Sequence, residues 1–149
     1  MSFQSESKKS GDEFENAVLE DLKNRSFISI EKNVYMPGTG CEVDFVAHGQ
    51  KIEHIESKGG REDIGKRPGA QRTDNVKKAV ANGALIKARY PEVYYVVYFS
   101  AKPLVNSSSA EMIDTALCYK IIDEVRYISN KDSSQLQLTF EELGLIDEE

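Results

Sequence analysis

The stretch that most constrains the fold of this chain is VYYVVYFS, at residues 93–100. Every residue of the run except the last is apolar or aromatic, so it lacks the alternation of a strand with one face in water. A continuous apolar run of this length is typical of a strand buried on both faces in a parallel or mixed sheet. A helical pattern from about 74 to 89 precedes it and ends at Tyr90-Pro91. The pair predicts half of a β-α-β unit, and therefore a sheet packed against helices.

The part of the chain before this unit predicts one helix and three strands. Asp12 and Glu15 have the D-x-x-E spacing of a capping box, which predicts a helix from about Asp12 to Asn24. Residues 1–10 are expected to form a loose tail. Strands are predicted at 26–36, 42–47 and 52–58, and the turn at 48–51 suggests that the last two form a hairpin.

The part after the buried strand predicts a helix at 110–120 and two strand candidates, IIDEVRYIS and LQLTF. The complete order is α-β-β-β-α-β followed by α-β-β. We therefore predict an α/β fold with a mixed central sheet flanked by helices.

Length and composition favour a single globular domain. The chain has 149 residues, of which 40% are hydrophobic and 30% charged, so we expect one domain with a core at about 11–100 and an extension at 101–149. No apolar run approaches the ~20 residues of a membrane span. The polar N-terminus is not a secretion signal, and Cys41 and Cys118 form neither a metal-binding spacing nor a disulfide framework. These features predict a cytoplasmic protein.

Three charged residues stand where strand residues are expected. Asp44 lies inside CEVDFVAH, and Glu56 and Lys58 lie near the end of IEHIESK, although these residue types are depleted in strands. Residues two apart on a strand share a face, so Glu56 and Lys58 point the same way. A hairpin at 48–51 would bring Asp44 beside them.

Two carboxylates and an ammonium suit the hydrolysis of a phosphodiester. Two carboxylates can bind Mg²⁺, which keeps several waters and takes phosphate oxygens as further ligands. The metal lowers the pKa of a bound water, and the lysine can orient that water or offset charge in the transition state. His48 and His54 lack the spacing of metal ligands. The alternative interpretation is a solvent-facing pair, Glu56 and Lys58, on an edge strand that Asp44 protects from aggregation.

The runs GDEFENAVLEDLKN, EVDFVA and IEHIESKGG, followed by a helix and VYYVVYF, resemble the PD-(D/E)xK nuclease superfamily over about residues 11–100. This superfamily includes restriction-endonuclease-like and archaeal Holliday-junction-resolvase-like folds. The resemblance implies that Asp44 and Glu56 bind Mg²⁺, for which Mn²⁺ is expected to substitute, and that Lys58 is the catalytic lysine. Val43 stands where many members carry proline.

The resemblance extends to two further residues with weaker patterns. Glu15 matches a carboxylate that some members place on the first helix, where it helps to hold metal or its waters. The alternative for Glu15 is the capping-box partner of Asp12. Gln71 resembles a glutamine that some members carry near the site, whereas a glutamine in a loop is commonly only solvated.

Three basic residues in the long loop after the 52–58 strand are candidates for DNA phosphate contacts: Lys66, Arg67 and Arg72. The alternative is a solvated loop in which Glu62, Asp63 and Asp74 offset the charge. The net charge of −6, taken alone, also argues against a dedicated nucleic-acid binder, which usually carries a basic surface.

The resemblance implies a Mg²⁺-dependent DNA endonuclease. Because junction binding relies on phosphate contacts over a wide basic surface, the acidic charge favours a restriction-type or homing-type enzyme over a junction resolvase. A dimer is expected, since cutting two strands needs two sites, and VRYIS with LQLTF is the expected interface. A non-catalytic subunit that binds a protein partner is the competing hypothesis. An unrelated α/β protein would place Asp44 and Glu56 on opposite faces of the sheet.

Overall fold

A computed structural model describes the chain over residues 3–59 and 67–128, with side chains described from residue 11 onward. The chain follows the order α1 (Phe3–Asn24), β1 (Ser29–Met36), β2 (Cys41–His48), β3 (Ile52–Lys58), α2 (Thr73–Arg89), β4 (Tyr94–Phe99), α3 (Ser108–Cys118) and β5 (Glu124–Tyr127). A 3-10 turn at Gly69–Gln71 precedes α2. None of the helices in these ranges is long and apolar enough to cross a membrane.

The five strands form one mixed sheet in the order β1-β2-β3-β4-β5. Strands β1, β2 and β3 pair antiparallel through two tight turns, whereas β3, β4 and β5 pair parallel. The helix α2 joins β3 to β4, which is the predicted β-α-β unit. The predicted α/β class, with a mixed sheet flanked by helices, is confirmed.

Helices cover both faces of this sheet. On one face, α1 buries Phe14, Val18 and Leu22 against the sheet. On the other face, α2 and α3 pack against alternate side chains of the same strands. Five consecutive residues of β4, from Tyr95 to Phe99, are buried, so the prediction of a strand covered on both faces is confirmed.

Several boundaries differ from the prediction, and β1 begins at Ser29 rather than at residue 26. The helix α1 begins at Phe3 rather than near Asp12, so the expected loose tail is helical from residue 3. Residues such as Glu6, Lys8 and Lys9 are good helix formers and extend the helix without an apolar face of their own. The helix α3 begins at Ser108, because the Ser107 hydroxyl accepts from the Ala110 N–H as an N-cap. The strand in IIDEVRYIS is only Glu124–Tyr127, and LQLTF lies outside the described residues.

A buried polar network ties α1 to the sheet. The Arg126 guanidinium donates to both carboxylate oxygens of Glu53, at 2.9 and 2.8 Å, and to the Tyr98 hydroxyl at 2.9 Å. The Tyr98 hydroxyl in turn donates to Oδ2 of Asp21 on α1. Bidentate pairing of buried charges fixes geometry as well as energy, so α1 and β3 are held in one arrangement.

Replacing either of two helical glycines with alanine is expected to change the stability of the fold, and the two changes should have opposite signs. A methyl group on Gly83 of α2 would lie 2.6 Å from the Ile121 carbonyl oxygen and 2.8 Å from the Tyr95 ring. Gly83→Ala should therefore destabilise the fold by about 1–3 kcal/mol. A methyl group on Gly11 of α1 meets nothing within 4 Å, so Gly11→Ala should stabilise by about 0.5–1 kcal/mol. Urea unfolding of both variants measures the change in the free energy of unfolding. A Gly83→Ala variant that is as stable as the wild type would contradict the close contact of α2 with the sheet.

Candidate active site

Asp44 lies where β2 and β3 separate. The ladder between the two strands runs from His48–Ile52 to Phe45–Ile55, and both strands continue beyond it. The first residue after the ladder on β2 is Asp44. Its Oδ2 atom accepts hydrogen bonds from the backbone N–H of Ser57, at 2.7 Å, and from the Ser57 hydroxyl, at 2.8 Å. The aspartate therefore occupies the gap that a backbone pair would fill in a regular sheet.

A change of face in β2 also places Asp44 between the two helical layers. Cys41 and Val43 pack on the α2 side of the sheet, whereas Phe45 and Ala47 pack on the α1 side. Residues two apart on a regular strand share a face, so β2 must rotate near Asp44. The β1–β2 register skips Asp44 and also Asn33, which lies between the partners of Phe45 and Val43 and has a left-handed backbone with φ of 52°. Asp44 can thus be reached from both sides of the sheet.

Glu56 approaches Asp44 from β3 and is 3% exposed. Its Oε2 atom accepts a hydrogen bond of 2.6 Å from the side-chain amide of Asn82 on α2. The Lys58 Nζ atom lies 3.9 Å from the same oxygen. The two carboxylates and the lysine singled out in the sequence therefore meet at one place.

Glu15 approaches Asp44 from α1. It is half-buried and contacts the Asp44 carboxylate at hydrogen-bonding range. Because α1 begins at Phe3, Asp12 lies inside the helix and cannot be its N-cap, so the capping-box interpretation of Glu15 is wrong. Glu15 and Asp44 line a pocket of about 40 Å³, more than the ~10–15 Å³ that one water needs. The other residues lining it are Asn16, Leu19, Lys32, Asn33 and Phe45.

The Asp44 carboxylate raises the affinity of Glu15 and Glu56 for protons. Burial, followed by the Asp44 charge, raises the pKa of Glu15 from 4.5 to about 7. Burial and the hydrogen bond to Asp44 raise the pKa of Glu56 from 4.5 to about 8, against the opposing effect of Lys58. Burial beside the Asp44 charge therefore disfavours the ionised forms of both glutamates. The cluster is therefore an electrostatic site that a bound cation would relieve.

The carboxylates of the cluster fit the way in which proteins bind Mg²⁺. Across residues 3–59 and 67–128, no three His, Cys, Asp or Glu side chains are arranged so that they alone could hold a metal ion. Mg²⁺ does not need such a cage, because it commonly binds through one or two carboxylates and keeps its waters. Asp44 and Glu56, in contact in a site with an adjacent pocket, fit that mode of binding.

Among the described residues, the other predicted site residues make no side-chain hydrogen bond or ion pair to this cluster. Gln71 is half-buried on the 3-10 turn, and among the described residues no side-chain hydrogen bond links it to Asp44, Glu56 or Lys58. Arg67 is exposed and Arg72 is half-buried at the N-cap of α2. Lys66 lies outside the described residues.

The described ends of the loop after β3 meet near the cluster. The Asn75 side chain on α2 donates to the Gly69 carbonyl at 3.0 Å and reaches the Gly59 carbonyl at 3.5 Å. Gly59 directly follows Lys58, and Arg72 stands at the start of α2. Arg72 therefore lies near the same end of the strands as Lys58.

Two polar residues of the cluster were not singled out from the sequence. Ser57 lies between Glu56 and Lys58 and binds Asp44. Asn82 lies in the middle of α2, on a face otherwise made of small apolar residues. Asparagine is a poor helix former, so its place within an apolar stripe was the available signal for Asn82.

Comparison with known proteins gives no relative from which to take a function: no family model, no curated protein and no solved structure matches the chain.

Proposed function

We propose that the protein is a Mg²⁺-dependent endonuclease that hydrolyses DNA phosphodiester bonds. The observation that carries the proposal is the meeting of Asp44 and Glu56 where β2 and β3 separate, with Lys58 beside them. A purely structural role does not explain why a buried carboxylate is set against a second carboxylate, since this arrangement destabilises the ionised fold.

Each residue has a distinct role in this proposal. Asp44 and Glu56 would hold the cation through their carboxylates, whose Oδ2 and Oε2 atoms are oriented by the donors from Ser57 and Asn82. When bound, Mg²⁺ would lower the pKa of a water ligand and stabilise negative charge on the phosphate. Lys58 orients the attacking water or donates to a phosphate oxygen. Glu15 holds the outer waters of the cation from the side of α1.

Basic residues that precede α2 in the sequence are proposed to contact DNA. Arg72, the N-cap residue of α2, is assigned to phosphate contacts, and the same role is proposed for Arg67 and for Lys66, which precede it in the sequence. We retain Gln71 as a residue that contacts the substrate or its waters from the turn before α2. Because the chain carries a net charge of −6, we propose a restriction-type or homing-type enzyme that relies on base contacts, acting as a dimer. The two free thiols, Cys41 and Cys118, fit action in the cytoplasm.

The test is cleavage of a mixed panel of DNA by the wild-type protein and two variants. The panel contains phage genomic DNA, supercoiled plasmid, single strands and a four-way junction, each with Mg²⁺ and with EDTA. Asp44→Asn removes a proposed ligand, whereas Glu42→Gln changes an exposed carboxylate on the same strand and is the matched control. We expect discrete fragments that require Mg²⁺ and Asp44 but not Glu42.

Other outcomes distinguish the alternatives. Cleavage of the junction alone would favour a Holliday-junction resolvase. Absence of cleavage together with absence of Mg²⁺ binding by calorimetry would overturn the catalytic proposal. It would leave a non-catalytic module, which the acidic net charge would then explain as a surface for a protein partner.

A further inference from the structure

We propose that Asn82 is a positioning residue that fixes the Glu56 carboxylate for cation binding, an inference that rests on the proposed function. The Asn82 side-chain amide donates to Oε2 of Glu56 at 2.6 Å, across the contact between α2 and the sheet. It is the helix-borne partner of a carboxylate that is 3% exposed. A group that holds one oxygen of a ligand determines where the other oxygen points.

The Asn82 amide is itself held in one orientation. Its Oδ1 atom accepts from the Cys41 thiol at 3.6 Å, which leaves the NH₂ group to face Glu56. Cys41 is anchored in turn, since its backbone N–H donates to the Thr39 hydroxyl at 2.9 Å. The Thr39 hydroxyl donates to the Met36 carbonyl at 2.7 Å, within the turn that joins β1 to β2. A chain of hydrogen bonds therefore connects this turn to the Glu56 carboxylate.

The close approach of α2 explains why a short side chain serves here. Gly83, the next residue, lies so near the sheet that an added methyl would fall 2.6 Å from the Ile121 carbonyl. At this separation asparagine spans the distance to Glu56, and a longer side chain would have to fold back. The small-residue face of α2 thus has a use beyond packing, because it brings an amide within reach of the site.

The hydrogen bond from Asn82 also explains how Glu56 can be buried and still be oriented to bind a cation. The Asn82 amide donates to Oε2 at 2.6 Å, and the Lys58 ammonium pairs with the same oxygen as a counter-charge at 3.9 Å. Glu56 would then hold the cation with a carboxylate whose orientation is already fixed. If the Asn82 amide is removed, Lys58 is the one of these two partners that still faces Oε2. The lysine lies at longer range and is also needed for catalysis, so we expect the carboxylate to lose its fixed orientation.

The experiment measures Mg²⁺ affinity and cleavage in Asn82→Ala, with Leu85→Ala as the matched control. Leu85 is an exposed residue on α2, three positions from Asn82. We expect calorimetry to show Mg²⁺ binding that is about 10–100-fold weaker in Asn82→Ala and unchanged in Leu85→Ala. The Mg²⁺ concentration for half-maximal cleavage should rise by the same factor, and saturating Mg²⁺ should restore the single-turnover rate to within a few-fold. A merely structural asparagine would lower the unfolding temperature without moving the Mg²⁺ midpoint.

A second variant keeps the test decisive if alanine impairs folding. Asn82→Ser retains a polar group in this half-buried position but is too short to reach Glu56, so it should shift the Mg²⁺ midpoint in the same direction. A midpoint within twofold of the wild type in the folded variants would overturn the role of Asn82 while leaving the nuclease proposal intact. A wild-type protein that neither binds Mg²⁺ nor cuts would overturn both.

Discussion

Replacing Glu56 with glutamine is expected to abolish cleavage and, in the same protein, to raise the unfolding temperature of the metal-free form at alkaline pH. The loss of cleavage follows from removing one of two proposed cation ligands. Stabilisation of phosphate charge by a metal is worth several kcal/mol, and about 4 kcal/mol corresponds to a rate reduction of about 10³-fold.

The gain in stability follows from the cost of burying an ionised carboxylate beside Asp44. The pKa of Glu56 in the folded protein is raised from 4.5 to about 8, first by burial and then by Asp44. Between these two values the folded state binds more protons than the unfolded state, so stability falls as the pH rises. This contribution is fully present below about pH 4.5 and is lost as the pH rises through about 8. Glutamine does not titrate, so its advantage should grow from pH 5 to pH 9.

The size of the effect is large enough to measure. A pKa raised to about 8 corresponds to at most about 4–5 kcal/mol above that pH, a value that already includes the attraction of Lys58. We expect about 2 kcal/mol of net stabilisation at pH 9, or an increase in unfolding temperature of about 5 °C for a chain of this size.

Thermal unfolding followed by circular dichroism in EDTA, at pH 5, 7 and 9, measures this dependence. Glu42→Gln is the control, since the exposed Glu42 carboxylate has no buried charge to lose. Added Mg²⁺ should stabilise the wild type and leave Glu56→Gln unchanged. A variant less stable than the wild type at pH 9 would show that Glu56 is a structural carboxylate.

The elements that sequence patterns predicted best were those with a strong and simple period. The run at 93–100 became β4, and the small-residue helix before it became α2. The hairpin around 48–51 also formed, and its register put Phe45 opposite Ile55, which places Asp44 beside Glu56. Alternation and turn chemistry were sufficient for these features, because both act over a few residues.

The features that sequence patterns did not predict depend on contacts between distant elements. The rotation of β2 at Asp44 cannot be recognised from the strand sequence alone. It follows from packing, because the residues before Asp44 face α2 and the alternate residues after it face α1. Asn82 reaches Glu56 because α2 crosses the sheet at close range, and nothing local in α2 specifies that neighbour. The early start of α1 was missed because the D-x-x-E spacing of Asp12 and Glu15 resembles a cap, although polar helix formers continue on its N-terminal side.

The expected effect of replacing Lys58 separates chemistry from cation binding. Lys58 lies 3.9 Å from Glu56 and is half-buried at the end of β3, but an ammonium cannot bind a cation. Lys58→Met keeps most of the length and the apolar stem of the side chain while removing the charge. We expect the single-turnover rate at saturating Mg²⁺ to fall by about 10²–10³-fold, the usual effect of removing one donor to developing negative charge.

Mg²⁺ binding should be retained in Lys58→Met, although the cleavage rate falls. Loss of the positive charge removes a repulsion toward the cation, but it also strengthens the competing binding of protons by Glu56, whose pKa Lys58 lowers. Because these effects oppose each other, calorimetry at pH 8 should find an affinity within a few-fold of the wild type. Lys58→Arg should restore the charge without restoring the rate, since a planar guanidinium does not place a donor where the ammonium does.

Lys51 provides the matched control for the lysine. It immediately precedes β3, at the opposite end of the strand from Lys58, and its ammonium lies 3.6 Å from the centre of the Tyr94 ring. Lys51→Met should therefore leave both the rate and Mg²⁺ binding unchanged. If Lys58→Met instead cut DNA at the wild-type rate, Lys58 would be only the counter-charge of Glu56, and the proposal would need another donor for the phosphate. Loss of Mg²⁺ binding together with the rate would mean that the lysine holds the Glu56 carboxylate in place, a role assigned here to Asn82.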